Sequence, residues 1–110
     1  MNDLSQLKEF ARKIHVTAAD KGWWEEGKRP TVGDSIALMH SELSEALESA
    51  RKGDPPDDKI PEFTGLEAEL GDCVIRILDF AEAHGIRVID AMIAKVEYNK
   101  SRPYRHGKEF

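Results

Sequence analysis

Two pairs of acidic residues carry the chemistry that can be read from this chain: Glu42-x-x-Glu45 and Glu69-x-x-Asp72. Each pair lies in a stretch with helical periodicity. On a helix, residues three apart are neighbours on one face. Four carboxylates on two facing helices make an oxygen-rich cage of the kind that suits hard divalent cations, Mg²⁺ first and Mn²⁺ as its substitute. A single Glu-x-x-Glu is an ordinary solvated pair. Asp72 is also spaced for a plain i, i+4 ion pair with Arg76. Both acidic pairs, however, sit at the edges of apolar stripes on consecutive helices, where a solvated face would be polar throughout. A third group differs in sign. Lys95, Asn99 and Arg102 fall at i, i+4, i+7 and present mainly hydrogen-bond donors, which suit phosphate oxygens. The plain alternative is a basic edge favoured by the helix dipole. Taken together, a carboxylate cage holds cations, cations hold a polyphosphate, and a basic line neutralises the remaining charge. Phosphoryl transfer needs positioning, metal charge and an activated water, and little else. The glycine-rich pattern Gly-x-x-x-x-Gly-Lys-Ser/Thr has no match in the chain, so a nucleotide must be held through metal.

The elements that must position these residues are helical almost throughout. Helix one is expected from about Asp3 to Asp20, with Leu4, Leu7, Phe10, Ala11, Ile14 and Ala18 on one face and Gly22 as its stop. A loop from Trp23 to Pro30 follows. Helix two opens at Thr31, where Asp34 three residues on approximates a capping box, and runs to about Arg51. Ile36, Met39, Leu43, Leu47 and Ala50 make its main apolar stripe, and Leu38, Glu42 and Glu45 a second line. Gly53 to Pro61, with three prolines and three aspartates, is a loop. Thr64 and Glu67 form a second capping box and open helix three, whose stripe is Leu66, Leu70, Cys73 and Ile77 and whose end is Gly85. Helix four runs from about Ile86 to Lys100, with Ile89, Met92, Ile93 and Val96 apolar, and Pro103 limits its continuation. The tail from Tyr104 to Phe110 has no period.

At 110 residues the chain suits one domain, 1–110, with a modest core that a partner subunit would enlarge. Hydrophobic residues make up 40% and charged residues 34%, the balance of a globular chain and not of a disordered one. A formal net charge of -5 lacks the basic footprint of a nucleic-acid binder. The lone Cys73 excludes an internal disulfide and fits a reducing cytoplasm. No secretory leader is evident at the N-terminus, and no apolar run approaches the ~20 residues of a membrane span.

The two patterns, Ser-Glu42-Leu-Ser-Glu45-Ala with Ala-Glu69-Leu-Gly-Asp72-Cys, and downstream Lys95-Val-Glu-Tyr-Asn99-Lys-Ser-Arg102, resemble those of the MazG-like all-α nucleoside triphosphate pyrophosphohydrolases. The resemblance covers about residues 4 to 106. It implies a four-helix MazG-like bundle completed by oligomerisation, as a homodimer or homotetramer. It implies that the four acids bind Mg²⁺ and carry catalysis, and that a (deoxy)nucleoside triphosphate is cleaved to the monophosphate and pyrophosphate, a reaction suited to cleaning nucleotide pools. In similar proteins an aromatic residue near Trp23 and Trp24 helps form the base pocket. Aromatic rings offer faces to a base, so Trp23 is expected to meet the ligand and Trp24 to pack. Some relatives carry an extra acid just before the first pair, where this chain has Ser41, so base duty falls to a ligand carboxylate or to the metal's water.

His15 and His40 read as packed or surface residues, Cys73 as core, and His106 as part of a basic tail that closes over phosphates or stays free. Two rival functions stand beside the hydrolase. A di-iron carboxylate bundle needs Glu-x-x-His motifs, which the chain lacks. A non-enzymatic helical oligomerisation or interaction module would have merely solvated acids and no response to divalent ions.

Overall fold

The structure, a computed structural model, describes residues 3–107. Among them are four α-helices and no β-strand: α1 (Ser5–Asp20), α2 (Val32–Arg51), α3 (Gly65–His84) and α4 (Val88–Lys100), followed by a short 3₁₀ turn, Tyr104–Gly107. The all-α class and the order of the elements follow the periodicity closely. The turn at 104–107 is an addition that no period signalled. The side chain of His106 and residues 108–110 lie outside the described residues, and with them the idea of a tail closing over phosphates.

Local chemistry sets the helix ends. Both capping boxes form completely. The Thr31 hydroxyl accepts from the Asp34 backbone N–H while Asp34 accepts from that of Thr31, and Thr64 and Glu67 do the same at the head of α3. Helix α3 stops at Gly85, whose positive φ of 65° is cheap only for glycine. The starts of α1 and α4 lack a side-chain cap. There the helices begin at Ser5 and Val88, two residues inside the expected starts.

Helix α3 is central, with α2 along one side and α1 along another. The apolar core is small and lies where α1, α3 and α4 meet. Ala11, Leu78 and Ile89 are buried there, with Leu4, Leu7, Ile14, Val88 and Ile93 packed around them. The burial of α2 departs from expectation. Its buried residues are Ser35, Glu42 and Ala46, whereas Ile36, Leu43 and Leu47 of the main apolar stripe are 40–54% exposed. Helix α2 has one close neighbour, α3, and it turns the line containing the acid toward it. Phe10, Leu70, Met92 and Val96 are exposed for the same reason: the chain has fewer helix faces to cover than apolar stripes that need cover. No helix among the described residues is long and apolar enough to cross a membrane.

Candidate functional site

The α2–α3 pair is fastened at one end by its connection. Asp54, in left-handed backbone at φ 55°, accepts from the Leu66 N–H at 2.8 Å and from the Ser49 hydroxyl at 3.2 Å. The Gly65 N–H bonds the Pro55 carbonyl at 2.8 Å. A Cβ at Gly65 would collide with Ser49 Oγ, so glycine permits α3 to start against the last turns of α2. Hydrogen bonds to its carboxylate hold Asp54 below the usual aspartate range, that from Leu66 foremost. These contacts set the register of one helix along the other, and so the height at which the two acidic pairs meet.

The pairs do meet. One oxygen each from Glu42, Glu69 and Asp72 lies within 4.8 Å of the others. Glu42 is buried, 6% exposed, and its Oε1 accepts from Arg76 Nε at 3.0 Å. Glu45 stands at the outer edge of the group. Its pKa is raised, above all by the charge of Glu42, then by burial, by a hydrogen bond to Glu42 and by Asp72. Glu69 is pushed up to about 7, first by burial and then by the charges of Glu45, Glu42 and Asp72. Each of the four therefore bears on another, and the group carries more negative charge than Arg76 balances. The donor set is all oxygen, crowded and short of positive charge, which fits a hard divalent cation.

Arg76 pairs across the helices with Glu42, not along α3 with Asp72 as its spacing suggested. A buried carboxylate needs a partner more than an exposed one, and Glu42 is the more buried of the two acids.

Next to the acids is a cavity of about 270 Å³. Glu42, Asp72 and Arg76 border it, as do Trp23, Trp24 and Asp79. The two tryptophans differ in burial. Trp24 is half-buried. It donates from Nε1 to both oxygens of Asp79, at 2.9 and 3.0 Å, and lies with its centroid 5.7 Å from the His84 ring. Trp23 is 53% exposed and forms part of the cavity wall. Cys73 is buried, with Sγ 3.6 Å from the Met39 carbonyl, in keeping with a core role.

The basic line is elsewhere. Helix α4 ends at Lys100, before Arg102, whose backbone N–H bonds the Asn99 carbonyl at 3.2 Å. Lys95 Nζ lies 5.4 Å and Arg102 Cζ 5.7 Å from the centre of the Tyr98 ring, so both cations approach one aromatic ring. Among the described residues no hydrogen bond, ion pair or cavity wall joins Lys95, Asn99 or Arg102 to the acids.

No family model matches this chain, and neither a curated protein nor a solved structure matches it significantly. What the site can do follows from its own geometry.

Two members of that geometry escaped the sequence reading. Asp79 accepts from His15 Nδ1 at 2.8 Å as well as from Trp24. Its signal was present: a carboxylate inside Ile-Leu-Asp79-Phe-Ala, an otherwise apolar run, needs a partner. Neither partner could be found by spacing, since they lie 64 and 55 residues away. The Arg76–Glu42 pair, 34 residues apart, was hidden in the same way.

Proposed function

We propose that this protein is a Mg²⁺-dependent, MazG-like nucleoside triphosphate pyrophosphohydrolase that works as a cytoplasmic homo-oligomer and helps to clean nucleotide pools. The observation that carries the reading is the convergence of Glu42, Glu69 and Asp72 within 4.8 Å beside a cavity walled in part by tryptophan. Acids and tryptophans bordering one cavity support a reading in which the acids take the phosphate end of a nucleotide and the rings its base.

In this reading Glu42, Glu45, Glu69 and Asp72 hold Mg²⁺. The bound ion supplies charge to the phosphate oxygens and acidity to a water. The chain's own residues do the rest. Arg76 holds Glu42 in place by one N–H and borders the cavity, so it steadies a ligand carboxylate. Glu69 is pushed up to about 7 by burial and by the neighbouring acids, and a bound cation would favour its ionised form. Trp23 offers a ring face to the base. Lys95, Asn99 and Arg102 bind phosphate, delivered from a second subunit. The exposed Ile36, Leu43 and Leu47 stripe supports an obligate oligomer, because a chain of this size gains from shared burial.

The test is product analysis. The purified protein is offered a panel of (deoxy)nucleoside triphosphates with Mg²⁺ in ¹⁸O-labelled water. A monophosphate and pyrophosphate should appear, and Glu45→Ala should lose both turnover and the rise in melting temperature that Mg²⁺ gives. Label in orthophosphate with a diphosphate left behind, or an equal metal response in Glu45→Ala, would sink the proposal. Sedimentation should show an oligomer at low micromolar concentration. A folded, active monomer would remove the subunit-sharing part.

A further inference from the structure

We propose that Asp79 reads the nucleobase, and that the cavity prefers a base with an exocyclic amino group over its deaminated counterpart with a carbonyl at the same place. The inference rests on the pyrophosphohydrolase reading, which makes the acids the phosphate end of the cavity. Asp72, Arg76 and Asp79 follow one another at i, i+4, i+7 along α3, and all three border the same cavity. Seven residues of helix span about 10 Å. That distance leaves room for a sugar between a phosphate at Asp72 and a base at Asp79. Trp23, Ile75 and Ala18 border this cavity together with Asp79, and all four also border the adjoining groove of about 360 Å³. Flat apolar walls of this kind suit a planar ring.

The hydrogen bonds of Asp79 decide what it can still accept. Its side chain is only 16% exposed. The Trp24 N–H lies between its two oxygens, at 2.9 and 3.0 Å. Oδ1 also receives His15 Nδ1 at 2.8 Å. A carboxylate only accepts, so His15 carries its hydrogen on Nδ1. Oδ1 is thus met by two donors, and Oδ2 by a share of one. A carboxylate oxygen has two lone pairs, and Oδ2 keeps capacity for a further donor. The Trp24 N–H covers the chelating side of the carboxylate, which leaves room for one donor, not a bidentate pair. An amino group of cytosine or adenine supplies that donor. The carbonyl of uracil, thymine or hypoxanthine would bring a lone pair against a lone pair, in a half-buried place where a mismatch costs more than a missing bond.

The test uses matched ligands. Calorimetry with Mg²⁺ compares the α,β-imido analogues of dCTP and dUTP, and of dATP and dITP, on wild type and Asp79→Asn. In wild type the amino member of each pair should bind at least about tenfold more tightly. Asparagine can turn its NH₂ toward the cavity, so the preference should vanish or invert, with thermal melting run alongside to confirm that the variant is folded. Should the variant not fold, the wild-type comparison decides alone, because it needs no substitution. Equal affinities within both pairs, tighter binding of the carbonyl members, or an intact preference in folded Asp79→Asn would overturn base reading and leave the hydrolase reading standing. Failure of every analogue to bind wild type would overturn both.

Discussion

Helices α2 and α3 each open on a complete capping box, meet across a glycine that admits no side chain, and share a part-buried ion pair between Glu42 and Arg76. Helix α4 opens at Arg87 without a side-chain cap, buries Ile89 alone, and leaves Met92, Val96 and Tyr98 exposed. The acids lie on the first framework and the basic line on the second. The contrast separates two ways of building a site. The acids are set by backbone and packing before any ligand arrives, so their mutual repulsion is held in the fold. Lys95 and Arg102 lie against the Tyr98 ring, and among the described residues no hydrogen bond or ion pair aims them at the acids. In the proposed enzyme, then, substitutions at the acids act on metal and chemistry, and substitutions at the basic line act on an encounter that oligomerisation completes.

The sharpest break of this contrast is Glu69→Gln. The amide keeps the size of the side chain and removes a charge whose pKa is raised by burial and by three neighbouring acids. Catalytic efficiency should fall about a hundredfold or more, since the metal's stabilisation is worth several kcal/mol. The metal-free protein should melt higher, because repulsion is relieved. Loss of activity with gain of stability is a signature that general damage to the fold does not produce. Unchanged efficiency would show that the acids are solvated charges only.

At the other end, Arg102→Ala removes one charge-assisted contact. Such contacts are worth about 1.5–3 kcal/mol, so efficiency should drop by roughly ten- to a hundredfold. Arg102 lies past the end of α4, and the melting temperature should stay where it was. A dipole-favoured surface cation would do the reverse: at most about 1 kcal/mol of stability and no kinetic effect. Kinetics and melting measured side by side choose between the two.

The pH dependence of stability tests the α2–α3 framework without a substitution. Glu69 is pushed up to about 7 in the fold, from the ordinary glutamate value of 4.5 that holds when the chain is unfolded. Its folded form binds the proton more tightly, so its contribution is fully present below pH 4.5 and is lost as pH rises to 7. With allowance for solvent screening, the loss should be about 1–2 kcal/mol in chelator. A bound divalent cation favours the ionised carboxylate, so Mg²⁺ should flatten the slope. Urea unfolding across this range, with and without Mg²⁺, gives the difference. Parallel curves would mean that no cation meets Glu69.

The elements were legible in the sequence because their signals are local. Thr31 with Asp34, Thr64 with Glu67, Gly85 and the i, i+3 acids all act within a turn or two of helix. The approach of Glu42 to Glu69 and Asp72 was legible because each acidic pair marks one face of its own helix. The side of α2 that is buried was not. Ile36, Leu43 and Leu47 make the stronger apolar stripe, yet α3 takes the line of Ser35, Glu42 and Ala46. Periodicity identifies a stripe without naming its neighbour. The Asp79 cluster was hidden for a related reason, because a buried carboxylate announces that it needs donors but not where they lie.

The smallest effect bears on the same comparison through helix ends. Thr64→Ala deletes a cap whose hydroxyl accepts from the Glu67 N–H at 3.2 Å. Losing such a cap costs about 1 kcal/mol. Ser101→Ala, just past α4, deletes a hydroxyl bonded at 2.7 Å to the Tyr98 carbonyl three residues back, on an exposed turn, and should cost within about 0.5 kcal/mol. Unfolding in urea resolves the two. The further point is kinetic. Gly65, Asp54 and Pro55 still bind the head of α3 to the end of α2 when Thr64 is cut back, so Glu69 and Asp72 keep their height against Glu42. Efficiency in Thr64→Ala should therefore stay near wild type while stability falls. If efficiency falls with the cap, the register of α3 depends on its first turn, and the acids are set less firmly than the interhelical contacts imply.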